Sequence, residues 1–343
     1  MIQLGIIGLG IGRVHLKATK DLSNVKVTSI CDTDEKILDM VAQTYHIEKV
    51  STDYRDMLAD PTVDAVIVAT PDHMHCEMVC AALRAGKHVL CEKPIALHVD
   101  ECRQMLDTAK ETGKLLMAGQ VVRMTPSFIE AKRLIDEGYL GDLYFIESEY
   151  AHDYSHMNAW AYNWRKDPLH PRHPVTGGGC HAVDLVRWLT GKDPVEVYAY
   201  AMHKCLTDWP CADSAISIMK FEEGLAGKVY VSTGCKREYT MRTVIYGTKG
   251  TIIVDNTSDH LSLYVSEHDG SPKFAGRTLH NLSHTIPVKV NNHNFGAEIR
   301  EFCDCIENGK EPSIPAIEGL KTVAVCEAII EAAKTGVPTK PQY

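Results

Sequence analysis

Two short segments carry the residue types that proton and hydride chemistry needs. Glu92-Lys93-Pro94 follows the apolar run HVLC, and His181 follows three glycines and a cysteine in VTGGGCHAVDLVRWL, residues Val175–Leu189. A lysine ahead of proline is held in an extended turn, from which its ammonium can stabilise a developing alkoxide. A histidine titrates near neutral pH, so it can take or give a proton during turnover. By type alone His181 could equally cap the helix that follows or bind a metal. Cys180 reads as a packed neighbour, because adjacent Cys and His are poorly disposed to chelate one ion. The bare backbone of Gly177–Gly179 would let main chain approach a substrate.

A second constellation lies at the amino end. Gly8-Leu9-Gly10-Ile11-Gly12 follows the apolar run IQLGII and opens a helical pattern, as a dinucleotide's pyrophosphate requires. The third glycine comes one residue early, with Arg13 in the expected place, so the segment could also be a simple turn. Asp32 ends the next strand-like run. A carboxylate there can accept the adenosine ribose hydroxyls and repel a 2′-phosphate, which favours NAD over NADP; Asp34 and Glu35 add to that charge. The alternative for Asp32 is a helix N-cap. Two further turns, ATPDHMH with Thr70, Pro71, His73 and His75, and CEKP with Glu92 and Lys93, fall at carboxyl ends of apolar runs. Ligands bind there in open parallel sheets. His75 could instead cap its helix.

The elements that must hold these residues follow from periodicity. In residues 1–121, strand-like and helical segments alternate, which predicts a doubly wound parallel sheet with helices on both faces. Residues 122–343 are expected to form a second α/β domain. VEVYAYAMH, AISIMKFE, LAGKVYVST, RTVIYGTKGTIIVD and LSLYVS succeed one another with short turns and predict a large, mostly antiparallel open sheet. Between its first strand, DLYFIESEYA, and His181 lies a long stretch rich in aromatics and histidines. Trp160, Tyr162 and Trp164 suit the C–H faces of a sugar, or pack the domain's own core. Arg165 would hold Asp167 or a substrate oxygen. His152, Asp153 and His156 lack any metal-site spacing, so no metal is expected, and His170 and His173 read as surface residues.

Composition narrows the partners. The 343 residues carry a formal net charge of −9, which argues against nucleic acid or an anionic membrane surface as partner. No apolar run reaches the ~18–20 residues of a bilayer span. The first residues read directly as a strand rather than as a signal peptide. Twelve cysteines without a CxxC pair read as reduced thiols in a cytoplasmic protein.

The chain resembles the Gfo/Idh/MocA family of nicotinamide-dependent sugar and cyclitol oxidoreductases. The resemblance rests on GLGIGRVH, Asp32, ATPDHMH, EKP, HAVD with Trp188 and Gly191, WRKDP, YGTKGTI and the tail from HNFGAEIREFCDCIENGKEP to AIIEAAKTGVP. It implies a Rossmann domain followed by an α/β domain with an open antiparallel sheet. It also implies Lys93 and His181 as the catalytic pair, and a carbohydrate or cyclitol substrate. Arg123 and Asp184, with the aromatic stretch and Arg165, are expected to contact that substrate. Many members carry an aspartate four residues before the histidine; Gly177 stands there instead. Asp184, at i+3 from His181, could share its helix face and orient the ring, or be structural. The second sheet is expected to join copies of the chain as a homodimer or homotetramer. Three functions stay open: a sugar, glycoside or cyclitol dehydrogenase, with oxidation at C3 of a glucoside among its forms; an NAD-recycling glycosidase or lyase working through a transient keto-sugar; and a non-catalytic dinucleotide sensor.

Overall fold

The fold is described from a computed structural model, over residues 1–156, 164–266 and 281–343. Six strands form the first sheet: β1 (Ile2–Ile7), β2 (Val25–Cys31), β3 (Lys49–Ser51), β4 (Ala65–Val68), β5 (His88–Glu92) and β6 (Leu116–Gly119). All pairings are parallel, in the order β3-β2-β1-β4-β5-β6. The apolar runs of β1, β4 and β5 are buried because helices cover both faces, as parallel sheets require. Those helices are α1 (Gly12–Ala18), α2 (Glu35–Tyr45), α3 (Tyr54–Ala59), α4 (His75–Arg84) and α5 (Val99–Thr112). Their ends are set locally. Asp34 caps α2 by accepting from the Lys36 and Ile37 N–H groups, and Glu101 folds back onto the Leu97 and His98 N–H groups at the start of α5.

The strand order reverses between β1 and β4, which opens a crevice at their carboxyl ends. Gly8, at φ +89°, turns the chain there, and a Cβ on it would lie 2.6 Å from the Ala69 carbonyl oxygen. A Cβ on Gly12 would strike Ile6, whereas Gly10 faces open space.

A short turn and α6 (Pro126–Asp136) lead into the second sheet. It comprises β7 (Leu143–Ala151), β8 (Glu196–Met202), β9 (Ser214–Lys220), β10 (Ala226–Ser232), β11 (Thr240–Gly247), β12 (Gly250–Asp255), β13 (His260–Ser266) and β14 (Asn281–Pro287). The order is β14-β13-β12-β11-β7-β10-β9-β8, antiparallel except for the parallel pair β7–β10. One face is packed by α6, by α7 (Pro174–Gly177) and α8 (Cys180–Thr190), and by the later part of α10 (Ala316–Thr335). The other face leaves Tyr200, Met202, Ile216 and Ile218 exposed on β8 and β9.

The last helices tie the two sheets together. Ile299, Phe302 and Cys303 of α9 (Phe295–Asn308), with Leu320, Val323 and Ala324 of α10, join the core of the first sheet. Val325, Cys326 and Ile329 of α10 join the core of the second. All twelve cysteines are unpaired thiols. Among the described residues, no helix is long and apolar enough to cross a membrane.

Candidate active site

The residues expected at the cofactor lie in turns at the carboxyl ends of the first sheet. Asp32 accepts the Leu9 N–H at 2.6 Å through one carboxylate oxygen and the Asp34 N–H at 2.9 Å through the other. It therefore stitches the glycine loop to the end of β2, and Asp34, not Asp32, caps α2. Each carboxylate oxygen keeps a lone pair for a ligand hydroxyl. Open space over Gly10, a loop shaped by Gly8 and Gly12, and an acceptor at Asp32 fit the adenosine half of a dinucleotide. Ile11 is exposed at the same mouth. Asp32→Ala is expected to weaken NAD at least tenfold and to narrow discrimination against NADP, as dinucleotide titrations of both would show.

The β4 and β5 turns are clamped together by His75. It is fully buried, with Nδ1 2.9 Å from the Pro94 carbonyl oxygen and Nε2 3.0 Å from that of Thr70. Expected against the cofactor, His75 instead spends both ring nitrogens on backbone. Thr70 Oγ1 is buried without a partner. His73, two residues past Pro71, stacks face to face on His170 at 4.1 Å. Glu92 is buried; its Oε1 lies 2.7 Å from His15 Nε2 on α1, and its Oε2 accepts the Lys93 N–H at 3.0 Å. Burial pushes its carboxyl upward, but the His15 hydrogen bond and the Lys93 charge outweigh this and hold it at about 2. The ionised Glu92 thus anchors the main chain from which the half-buried Lys93 side chain projects.

Opposite Lys93 the second domain supplies a wall of neutral imidazoles and phenols. His181, at the start of α8, is buried and neither ring nitrogen has a partner. Its ring stands 6.5 Å from Tyr150 and 5.6 Å from His293. His152 lies just past β7 and His293 just before α9, where His293 stacks between Tyr239 at 5.4 Å and Phe295 at 5.7 Å. Burial first, and the Lys93 ammonium second, hold His152 and His293 down to about 4 and His181 well below the ordinary histidine value. One cation that depresses three imidazoles must sit within electrostatic reach of all three.

These shifts set the acid response. Between about pH 6.5, the value for a free histidine, and about 4, the unfolded chain binds protons the native one does not. Stability therefore falls with falling pH in that window, by up to about 1.4 kcal/mol per pH unit for a group as buried as His181. The urea midpoint is expected to drop between pH 6.5 and 4.5, and His293→Gln to flatten that drop.

The glycines before His181 serve packing rather than substrate approach. A Cβ on Gly177 would lie 3.0 Å from the Arg172 guanidinium, and one on Gly178 would lie 2.2 Å from the Tyr150 ring. The space that a side chain at position 177 would take is thus held by Arg172. That residue is buried against Asp72, accepts Trp164 as a cation–π partner and donates to the Gly177 carbonyl at 3.1 Å. Arg165 lies over Trp164 as well, 4.7 Å from the ring centroid. His173, expected on the surface, caps α7 by accepting the Val175 N–H at 3.3 Å. Trp160 and Tyr162 lie outside the described residues.

Arg123 and Asp184, expected against the substrate, are turned inward onto each other. Arg123 Nε and Nη2 lie 2.7 and 2.6 Å from the two Asp184 oxygens, and Thr322 Oγ1 donates to the same carboxylate at 3.0 Å. Asp184 makes no bond to His181 and does not orient it. The site members that sequence reading passed over, Tyr150, Tyr239, Arg172 and His293, come from separate elements. Only His293 carried a signal, lying in the HNFG start of α9 beside its Asn294 cap.

Comparison with known proteins agrees with this geometry. Residues 2–120 match the NAD-binding Rossmann fold of the Gfo/Idh/MocA oxidoreductases, and residues 132–340 match that family's C-terminal α/β domain. The chain is 27% identical to an inositol 2-dehydrogenase of Rhizobium meliloti (strain 1021), covering 96% of each. It is 26% identical to a scyllo-inositol 2-dehydrogenase (NAD(+)) of Bacillus subtilis (strain 168), covering 99% of this chain and 96% of the relative. In fold it is similar to levoglucosan dehydrogenase in complex with NADH and levoglucosan, with a TM-score of 0.87, 22% identity and full coverage of both chains. The glycine loop, the parallel sheet and the two matched domains together place the chain in the Gfo/Idh/MocA family of NAD-binding oxidoreductases.

Proposed function

We propose that this protein oxidises a ring secondary alcohol of a sugar, glycoside or cyclitol, with NAD as hydride acceptor. The observation that carries the reading is His181: a buried imidazole with two unpartnered nitrogens, within the field of the Lys93 ammonium that follows β5. A buried polar group without a partner is costly, and a ligand hydroxyl would satisfy it. NAD supplies the hydride-accepting ring. Lys93 stabilises the alkoxide and lowers the hydroxyl's pKa, while the neutral His181 accepts its proton. Glu92 and His15 fix the Lys93 backbone. Asp32, with Asp34 and Glu35 nearby, favours NAD over NADP. The inositol dehydrogenases among the relatives and the levoglucosan dehydrogenase fold support a polyol substrate, and glucoside C3 is one carbon to test.

The test is an NADH-absorbance screen over cyclitols, free sugars, levoglucosan and aryl glycosides, with aglycone release followed in parallel. Net NADH supports the dehydrogenase. Aglycone without NADH would replace it with the NAD-recycling lyase or hydrolase, and dinucleotide binding with no turnover would replace it with a sensor.

Tyr200 and Met202 of β8 and Ile216 and Ile218 of β9 form an apolar strip on the uncovered face of the second sheet. Exposed apolar patches of this kind mark protein interfaces, so we assign this face to self-association as a dimer or tetramer. Ile218→Glu is expected to lower the mass measured by light scattering to that of the 38.1 kDa chain. Twelve unpaired thiols suit a reducing, cytoplasmic compartment.

A further inference from the structure

Oxidation of an alcohol leaves one proton in the site for every hydride transferred, and His181 cannot pass it straight to solvent. Its ring is buried and bonded to nothing, walled by the rings of Tyr150 and His293. His152 is the opposite case. It is half-buried, and it is held rigidly because its N–H donates to Ser232 O at 2.9 Å and the Tyr154 N–H to Thr233 O at 2.9 Å, extending the β7–β10 pairing. Its Nδ1 lies 3.2 Å from Tyr150 Oη, which lies 2.9 Å from Tyr154 Oη. The Tyr150 ring packs on the bare Cα of Gly178, three residues before His181. The polar atoms therefore run from Tyr150, beside His181, to the half-exposed His152.

We propose that Tyr150 and His152 form the relay that carries the reaction's proton between the buried site and solvent. The proposal rests on the dehydrogenase reading above. In the oxidative direction the alcohol O–H breaks, and the hydride leaves the same carbon for the nicotinamide. The proton released at the Lys93–His181 pair passes to Tyr150 Oη, whose ring lies beside His181. Tyr150 gives its own proton to His152 Nδ1, and the half-exposed imidazole releases its Nε2 proton to water. Exchange with water at the imidazole then restores its starting tautomer. One proton enters and one leaves, and no group changes charge over the cycle.

The surroundings suit a carrier rather than a store of protons. Lys93 and Arg165 oppose a charge on His152, Asp153 favours one, and Tyr154 and Tyr239 present ring edges at 5.0 and 5.1 Å. His293 faces the same space and disfavours a second charge there. A protonated His152 is thus short-lived at neutral pH.

The experiment follows NADH formation by the NAD-loaded protein with myo-inositol, levoglucosan and methyl β-D-glucoside as probes. His152→Ala is expected to lower kcat by about 10²-fold, the scale of a lost proton-transfer group, with KM changed less than about threefold. Free imidazole in the buffer should restore at least a tenth of the lost rate. His152→Asn keeps a polar side chain that cannot relay, and it should be as slow as the alanine variant. Tyr154→Phe removes only a buried side branch from Tyr150 and should slow turnover less. Normal kcat in His152→Asn, or a slow His152→Ala that imidazole does not rescue, overturns the relay while leaving the dehydrogenase intact. A parent protein that oxidises none of the three probes removes the dehydrogenase reading and the relay with it.

Discussion

Replacing Lys93 with methionine is expected to lower kcat by about 10²–10³-fold, the cost of losing one preorganised group that meets developing negative charge. NAD affinity should stay within a few-fold of the parent. The glycine loop and Asp32, the residues proposed for the adenosine half, are held without Lys93, and the His15–Glu92 pair that shapes the turn is bonded through Glu92 itself. The substitution has a second effect that needs no substrate to be seen. The Lys93 ammonium helps to depress His152, His181 and His293. Its removal should move all three upward together, and histidine-selective NMR across pH 4–7 would register the shift. Slow turnover with unmoved histidines would mean that Lys93 lies away from that cluster.

Asp184→Ala is expected to act on stability rather than on substrate binding. Asp184 meets Arg123 in a two-bond pair deep in the interior, and Arg187 approaches it at 3.8 Å. Glu318 closes the network at 3.0 Å from Arg123 and 3.2 Å from Arg187. Removing the central carboxylate leaves two buried guanidinium groups short of a counter-charge, which costs about 3–5 kcal/mol. For a chain of this size that is roughly a 4–7 °C fall in Tm. A substrate-binding aspartate would behave differently: KM would rise and Tm would hold. A thermal melt of Asp184→Ala beside its KM therefore separates the interior role from the one expected on sequence grounds.

Local signals carried the first domain. The alternation of apolar runs with helical segments, the glycines after β1 and the aspartate ending β2 each report a feature made by neighbouring residues, so they were legible. The place of Lys93, at the end of a strand and ahead of a proline, was legible for the same reason. What failed to show were meetings between distant parts of the chain. Asp184 sits one turn from His181, yet its partner Arg123 arrives from 61 residues away. Gly177 and Gly178 looked made for a substrate, yet Arg172 and Tyr150 lie against them. His293 reaches the site only because α9 returns to pack on the first domain after the second sheet is complete. The parallel β7–β10 pair was likewise hidden, since short turns suggest antiparallel neighbours while register is set by the assembled sheet.

The central claim is geometric: an ammonium from one domain and an imidazole from the other converge on a single alcohol beside the nicotinamide. A crystal structure with NAD and a polyol that the protein oxidises tests it most directly. The account predicts Lys93 Nζ and a ring nitrogen of His181 both within hydrogen-bonding distance, about 2.6–3.2 Å, of one hydroxyl whose carbon faces nicotinamide C4. A complex in which that hydroxyl contacts neither side chain, or in which the two point to different parts of the ligand, would contradict it.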